Sequence, residues 1–195
     1  MPTISTASSS TVAAGTAAQV ECVVRSPLLA TVIERLNNDE FEVKKEAAWV
    51  VANILHGFAA EPNLHNAGRA TTLVQLGAIP SMVKMLEVND AAMQKLMLEA
   101  VGTLLEAGET LMKSKGGDNP FLVAFDEAEG VDKLEALQSH HNEEVYDKAI
   151  ALLEKHFGED GDDDENLLPS AQNGGFTFGA PAAFGQATQQ AAFAF

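Results

Sequence analysis

Apolar residues recur at helical spacing through residues 26–158. Leu28, Leu29, Val32, Ile33 and Leu36 fall on one stripe of a short helix. A polar turn containing Asn38-Asp39 follows, then a longer helical run ending near Gly57. The same order returns about 50 residues later, with Leu86 for Leu36, Asn89-Asp90 at the turn and Met93 for Val43. A third copy places Leu137, a turn at His141-Asn142 and then Val145, a step of about 51 to 52 residues. The long helices of these copies are expected to end near Gly108 and Gly158. Gly57, Gly108 and Gly158 would each act as a C-cap.

Two copies also open with a short helix, over 70–76 and 119–127, set off from the next helix by Gly77 and Gly130. Pro80 falls in a first helical turn, where its missing N–H costs little. Three helices per unit is the armadillo pattern, whose usual period is roughly 40–47 residues. The longer periods here imply insertions, with His56–Arg69 and Lys113–Pro120 as candidates. Units of this kind bury their apolar faces by stacking, and their third helices line a concave surface. The pattern therefore predicts an all-α fold, a right-handed superhelical solenoid of about three armadillo repeats with disordered ends. The repeats span about 26–60, 67–112 and 119–158. Residues 1–25 form a disordered leader, helical at most near Val20 to Val24, and 159–195 form a disordered tail. No clear first helix precedes Pro27, which exposes the face of Leu28, Leu29, Val32 and Ile33. The leader, a partner or further repeats of a longer array would each cover it.

Composition narrows the partners. The formal net charge is −16 over 195 residues. Such a chain repels nucleic acid and anionic membrane, so neither is expected as a partner and charged partners should be basic. The lone Cys22 excludes an intramolecular disulfide. No apolar run approaches the ~20 residues of a membrane-spanning helix. Residues 1–25 hold one basic residue, Arg25, and lack the features of a signal or transit peptide.

One helix face carries candidate binding chemistry. Glu46, Trp49 and Asn53 share a stripe at i, i+3 and i+7. Asn can hydrogen-bond a peptide backbone through both its C=O and its NH2. The indole offers a flat wall to a Lys or Arg stem and a cation–π face to its head, and Glu supplies a counter-charge. The alternative is a Trp49 buried in the core beside a solvated Asn53. No catalytic residues are expected. His140-His141 with Glu143-Glu144 lacks metal-ligand spacing, because adjacent histidines on a turn point apart, so neither metal nor cofactor is expected.

The run from Lys44 to Asn53, with Glu46-Ala47-Ala48-Trp49 at its centre, resembles the groove helix of an importin alpha armadillo repeat. Leu76-Gly77-Ala78-Ile79-Pro80 fits a helix junction of the same family. The stretch from Glu127 through Gly130, Gln138 and Tyr146 to Gly158 resembles its final repeat. An acidic run and a Phe-rich end follow. The resemblance covers about residues 26–195 and implies a nuclear import adaptor of cytoplasm and nucleus. It implies that Glu46, Trp49 and Asn53 hold nuclear localisation signal peptides of cargo proteins in a minor-site groove. It further implies that the last repeat, with the acids of Glu159–Glu165, meets the nuclear export receptor that recycles importin alpha.

The departures set limits. Glu99 and Thr103 replace the Trp/Asn rung in the second repeat, and Ala151 and Lys155 fall near it in the third. Importin beta binding is not expected, because residues 1–25 lack the family's basic segment. A single rung should bind weakly, since a few kcal/mol corresponds to roughly millimolar affinity. The Phe residues of Gly175–Gly179, Phe184-Gly185 and Phe193–Phe195 could make transient contacts of nucleoporin-like type. Two other readings stand beside the adaptor: a generic armadillo interaction scaffold, and a truncated gene product without independent import activity.

Overall fold

The computed structural model of the chain describes residues 16–158, 170–172 and 175–177. Residues 16–158 fold into nine helices, arranged as a right-handed armadillo-type solenoid of about three repeats. In chain order they are α1 (Ala17–Arg25), α2 (Leu28–Asn38), α3 (Phe41–Ala60), α4 (Leu64–Gln75), α5 (Ala78–Leu86), α6 (Ala91–Lys115), α7 (Pro120–Glu127), α8 (Gly130–Leu137) and α9 (Glu143–His156). The second helices pack in one layer, α2 on α5 and α5 on α8. The third helices pack in another, α3 on α6 and α6 on α9. Between the layers runs one continuous core, which includes Leu29, Leu36, Ile54, Phe58, Met82, Leu98, Leu104 and Phe125. Small side chains at Ala47, Ala48 and Ala52 line the buried faces of α3. They let neighbouring helices approach closely, so α3 is apolar on almost every side but one.

Of the expected leader, residues 1–15 lie outside the described residues. The helix expected near Val20 to Val24 is a full two-turn helix, α1, and it supplies the first helix of the first repeat. Gln19 Oε1 accepts from the Thr16 backbone N–H at 2.7 Å, which secures its start. Val20 is buried, and α1 packs on α2 and α3, so Leu29, Val32 and Ile33 of the expected open face are covered from within the chain, while Leu28 stays 41% exposed. The anchor is polar. Arg69 of α4, almost fully buried, donates through Nε to Glu21 Oε2 at 3.0 Å and through Nη2 to the Ala17 carbonyl at 3.4 Å. Arg25 and Arg69 beside Glu21 hold its carboxyl below the usual range.

The long helices also run past their expected ends. Gly57 lies inside α3 and Gly108 inside α6. Neither is a C-cap. A Cβ on Gly108 would sit 1.9 Å from Asn119 Oδ1, so glycine there admits a neighbouring side chain. Asn119 uses that space to donate to the Leu105 carbonyl at 2.9 Å and to accept from the Phe121 N–H at 3.0 Å. It thereby caps α7 and ties it to α6. Helix α6 ends instead at Gly116, whose φ of 77° is a left-handed value that favours glycine. The third long helix ends at His156, with Phe157 as its cap residue and Gly158 just beyond.

Residues from Gly158 onward form a separate unit. Its described residues make two antiparallel strands, β1 (Ser170–Gln172) and β2 (Gly175–Thr177), with Ala171 opposite Phe176. The acidic run 159–165 and the phenylalanines from Phe178 onward lie outside the described residues.

Two outcomes follow. Gly108→Ala should lose on the order of 1–3 kcal/mol of stability in urea unfolding, because Asn119 must leave its bonds. The His156 imidazole, with only 1% of its side chain exposed, donates from Nδ1 to Glu109 Oε1 at 3.1 Å. Burial pushes its pKa down, against the pull of Glu109 and Glu106 across on α6 and with the push of Lys155 beside it. A depressed pKa leaves this contribution intact above the unfolded value of about 6.5 and erodes it as pH falls towards the folded value. The urea midpoint should therefore drop more between pH 7.5 and 5.5 in the native chain than in His156→Gln. Equal drops would contradict it.

Candidate peptide-binding face

The third helices leave one stripe each uncovered by the core. On α3 it carries Glu46, Trp49, Asn53 and His56, with spacings of three and four that keep them on one side. On α6 the stripe includes Lys95, Leu96, Glu99, Thr103 and Glu106. On α9 it includes Glu144, Asp147, Lys148, Ala151 and Lys155. The concave surface is these three stripes side by side.

Trp49 is 46% exposed, the reverse of a core position for so large an apolar side chain. It lines a cleft of about 280 Å³ between α3 and α6 with Ala52, Asn53, Leu96, Glu99 and Thr103. Trp49 and Asn53 thus meet in one cleft. Glu46 is half-buried one turn back on the same helix, outside the cleft lining. Glu46 and Asn53 both have partners within the chain. Asn53 also borders a larger cleft of about 680 Å³ shared by α1, α3 and α4, with His56, Asn66 and Arg69.

Trp49 borders another cleft as well, of about 420 Å³, with Lys95, Leu96, Glu99, Glu144, Asp147 and Lys148. Here the surface changes character. Lys95 pairs with Glu144, and Lys155 with Glu106. Lys148 Nζ meets Glu99 Oε1 at 2.9 Å. Lys95 beside Glu144 holds that carboxyl below the usual carboxylate range. Three lysine–carboxylate pairs therefore bridge α6 and α9, whereas the cleft between α3 and α6 sets Trp49, Ala52, Leu96 and Ala100 beside the polar Asn53, His56, Glu99 and Thr103. The expected third-repeat counterparts of the rung were Ala151 and Lys155; Lys148 is the side chain that reaches Glu99. The paired lysines and acids recur about 49 residues apart, close to the repeat step, and that spacing was the available signal.

Elsewhere the chemistry is structural. The His140 and His141 rings lie 4.3 Å apart at 31°, so they stack rather than point away from one another. Asn142 donates its backbone N–H to His140 Nδ1 at 3.1 Å, which fixes the turn before α9. Among the described residues there is no group of three or more His, Cys, Asp or Glu able to hold a metal. Among the same residues, no helix is long and apolar enough to cross a membrane.

Comparison with known proteins agrees with this architecture. A family profile described as an Armadillo/beta-catenin-like repeat matches residues 16–56, and one described as an atypical Arm repeat matches residues 119–170. Importin subunit alpha-3 of Arabidopsis thaliana is 36% identical over 110 residues, covering 55% of this chain and 21% of that protein. Importin subunit alpha-1a of Oryza sativa subsp. japonica is 33% identical over 209 residues, covering 84% of this chain and 38% of that protein. The chain spans well under half the length of these relatives. Among solved structures, computationally designed armadillo repeat proteins for modular peptide recognition match with a TM-score of 0.61 and 28% identity. The match covers 76% of this chain and 55% of that one.

The exposure of Trp49 separates a surface role from a core role. Trp49→Ala should cost under about 1 kcal/mol in urea unfolding, against ~3–5 kcal/mol for a buried aromatic. A loss of the larger size would place the indole among the packing residues.

Proposed function

We propose that this chain, an armadillo-repeat protein related to the importin alpha family, binds extended basic peptides of the nuclear-localisation type on its concave face. The observation that carries this is the open cleft between α3 and α6, with an exposed indole, a carboxamide and a carboxylate around an apolar floor. Asn53 grips the peptide backbone, Trp49 lies against a lysine or arginine stem, and Glu99 meets its charge. Glu46, one turn before Trp49, adds negative potential on the same stripe. The chain works as a non-catalytic adaptor between cytoplasm and nucleus, and the partner is cargo carrying a localisation signal. Docking of a recycling export receptor falls to α7–α9 and the acidic run after them. What supports this is the resemblance of residues 127–158 and the acids after them to the family's last repeat and tail.

One rung limits affinity. The indole and the carboxamide together supply a few kcal/mol, which places binding between high micromolar and millimolar Kd. Titration of the full chain with a bipartite, lysine-rich localisation peptide, followed by Trp49 fluorescence, should saturate in that range and weaken with added salt. Asn53→Ala should weaken it several-fold further. A fluorescence change insensitive to salt would instead favour a scaffold for non-basic partners. No change at millimolar peptide, with the chain folded by circular dichroism, would overturn the reading.

A further inference from the structure

The open cleft ends at a carboxylate that already holds a lysine of this chain. Glu99 lines the cleft with Trp49 and Asn53, and its Oε1 accepts from Lys148 Nζ at 2.9 Å. Lys148 belongs to α9, so it reaches across from the next repeat. Its side chain is 37% exposed and that of Glu99 61%, so water competes for both groups and the pair is weak and exchangeable. The apolar part of the lining, Trp49, Ala52, Leu96 and Ala100, suits the alkyl stem of an entering lysine, whose ammonium would arrive at Glu99 beside Asn53, His56 and Thr103. Lys148 would not be stranded by the exchange. It shares the adjoining cleft with Glu144 and Asp147, and its charge already acts on Glu144.

We infer that Lys148 is a built-in competitor for the ligand. In the free protein it occupies Glu99 as the peptide's own lysine would, and binding exchanges one ammonium for another. This rests on the basic-peptide reading above and adds a specificity element to it. An entering lysine therefore binds a few-fold more weakly than it would if Glu99 were unengaged. Neutralising Lys148 therefore raises affinity without any new contact to the peptide.

The test is a Trp49-monitored titration of the full chain with the same lysine-rich peptide at low salt, run on a panel of variants. Lys148→Met should tighten binding roughly two- to five-fold, the range expected for releasing one exposed ion pair. Lys148→Arg keeps the cation and should leave Kd unchanged. Lys155→Met removes the same charge from the same helix, but its partner Glu106 does not line the cleft, so it should change Kd by less than Lys148→Met. Glu99→Gln should abolish the gain from Lys148→Met, which makes the coupling between the two positions the decisive quantity. Circular dichroism of each variant confirms the fold. If Asn53→Ala weakens binding while Lys148→Met and the native chain bind alike, the site stands and the competitor is overturned. If Lys155→Met tightens binding as much as Lys148→Met, only the overall charge of α9 matters and the inference fails. If no variant binds the peptide saturably, both the competitor and the site are overturned.

Discussion

Everything here depends on the stacking of consecutive third helices, α3 on α6 and α6 on α9. A single armadillo unit has too little apolar surface to close on itself, so each unit uses its neighbour as its other half. That requirement makes α3 apolar on nearly every side and leaves a single stripe for polar chemistry. The same requirement explains Gly108, buried where Asn119 reaches in to tie α6 to α7. It also explains the near-buried Arg69, which fastens α1 over the first repeat through Glu21. The concave surface is what stacking leaves over.

Charge then divides that surface. Between α3 and α6 the cleft sets the indole, Leu96 and two alanines beside Asn53, His56, Thr103 and Glu99. Between α6 and α9 three lysine–carboxylate pairs cross from helix to helix. Individually such exposed pairs contribute little to stability. Their effect is on what can bind. On the proposed reading, a basic peptide lying along the groove would meet the open cleft at Trp49 and resident lysines beyond it. The proposed foothold thus lies between α3 and α6, and the proposed internal competition comes from α9.

The helical repeat and the stripe of Trp49 and Asn53 were legible because both follow from periodicity, which stacking imposes on the sequence. The helix ends were not. Gly57 and Gly108 look like local stop signals, yet each lies within its helix. A Cβ at Gly57 would make only ordinary contact with the Arg69 guanidinium, whereas one at Gly108 would displace Asn119. A close approach between elements leaves the same residue in the sequence as a C-cap does. Helix α1 was legible only in part, near Val20 to Val24, for a related reason. Its Ala- and Ser-rich surroundings resemble a solvated leader, and it is held by Arg69, 48 residues away from Glu21. The pairing of Lys148 with Glu99 also depends on the register of α9 against α6, which an approximate repeat step does not fix to one residue.

The most direct test of the account is where a basic peptide sits. A lysine-rich peptide carrying a nitroxide label, added to isotope-labelled chain, will broaden backbone amide signals near it. Broadening centred on α3 around Trp49 and on α6 around Glu99, and falling away along α9, is the result this account predicts. Broadening centred on α9, or on the outer layer of α2, α5 and α8, would contradict it.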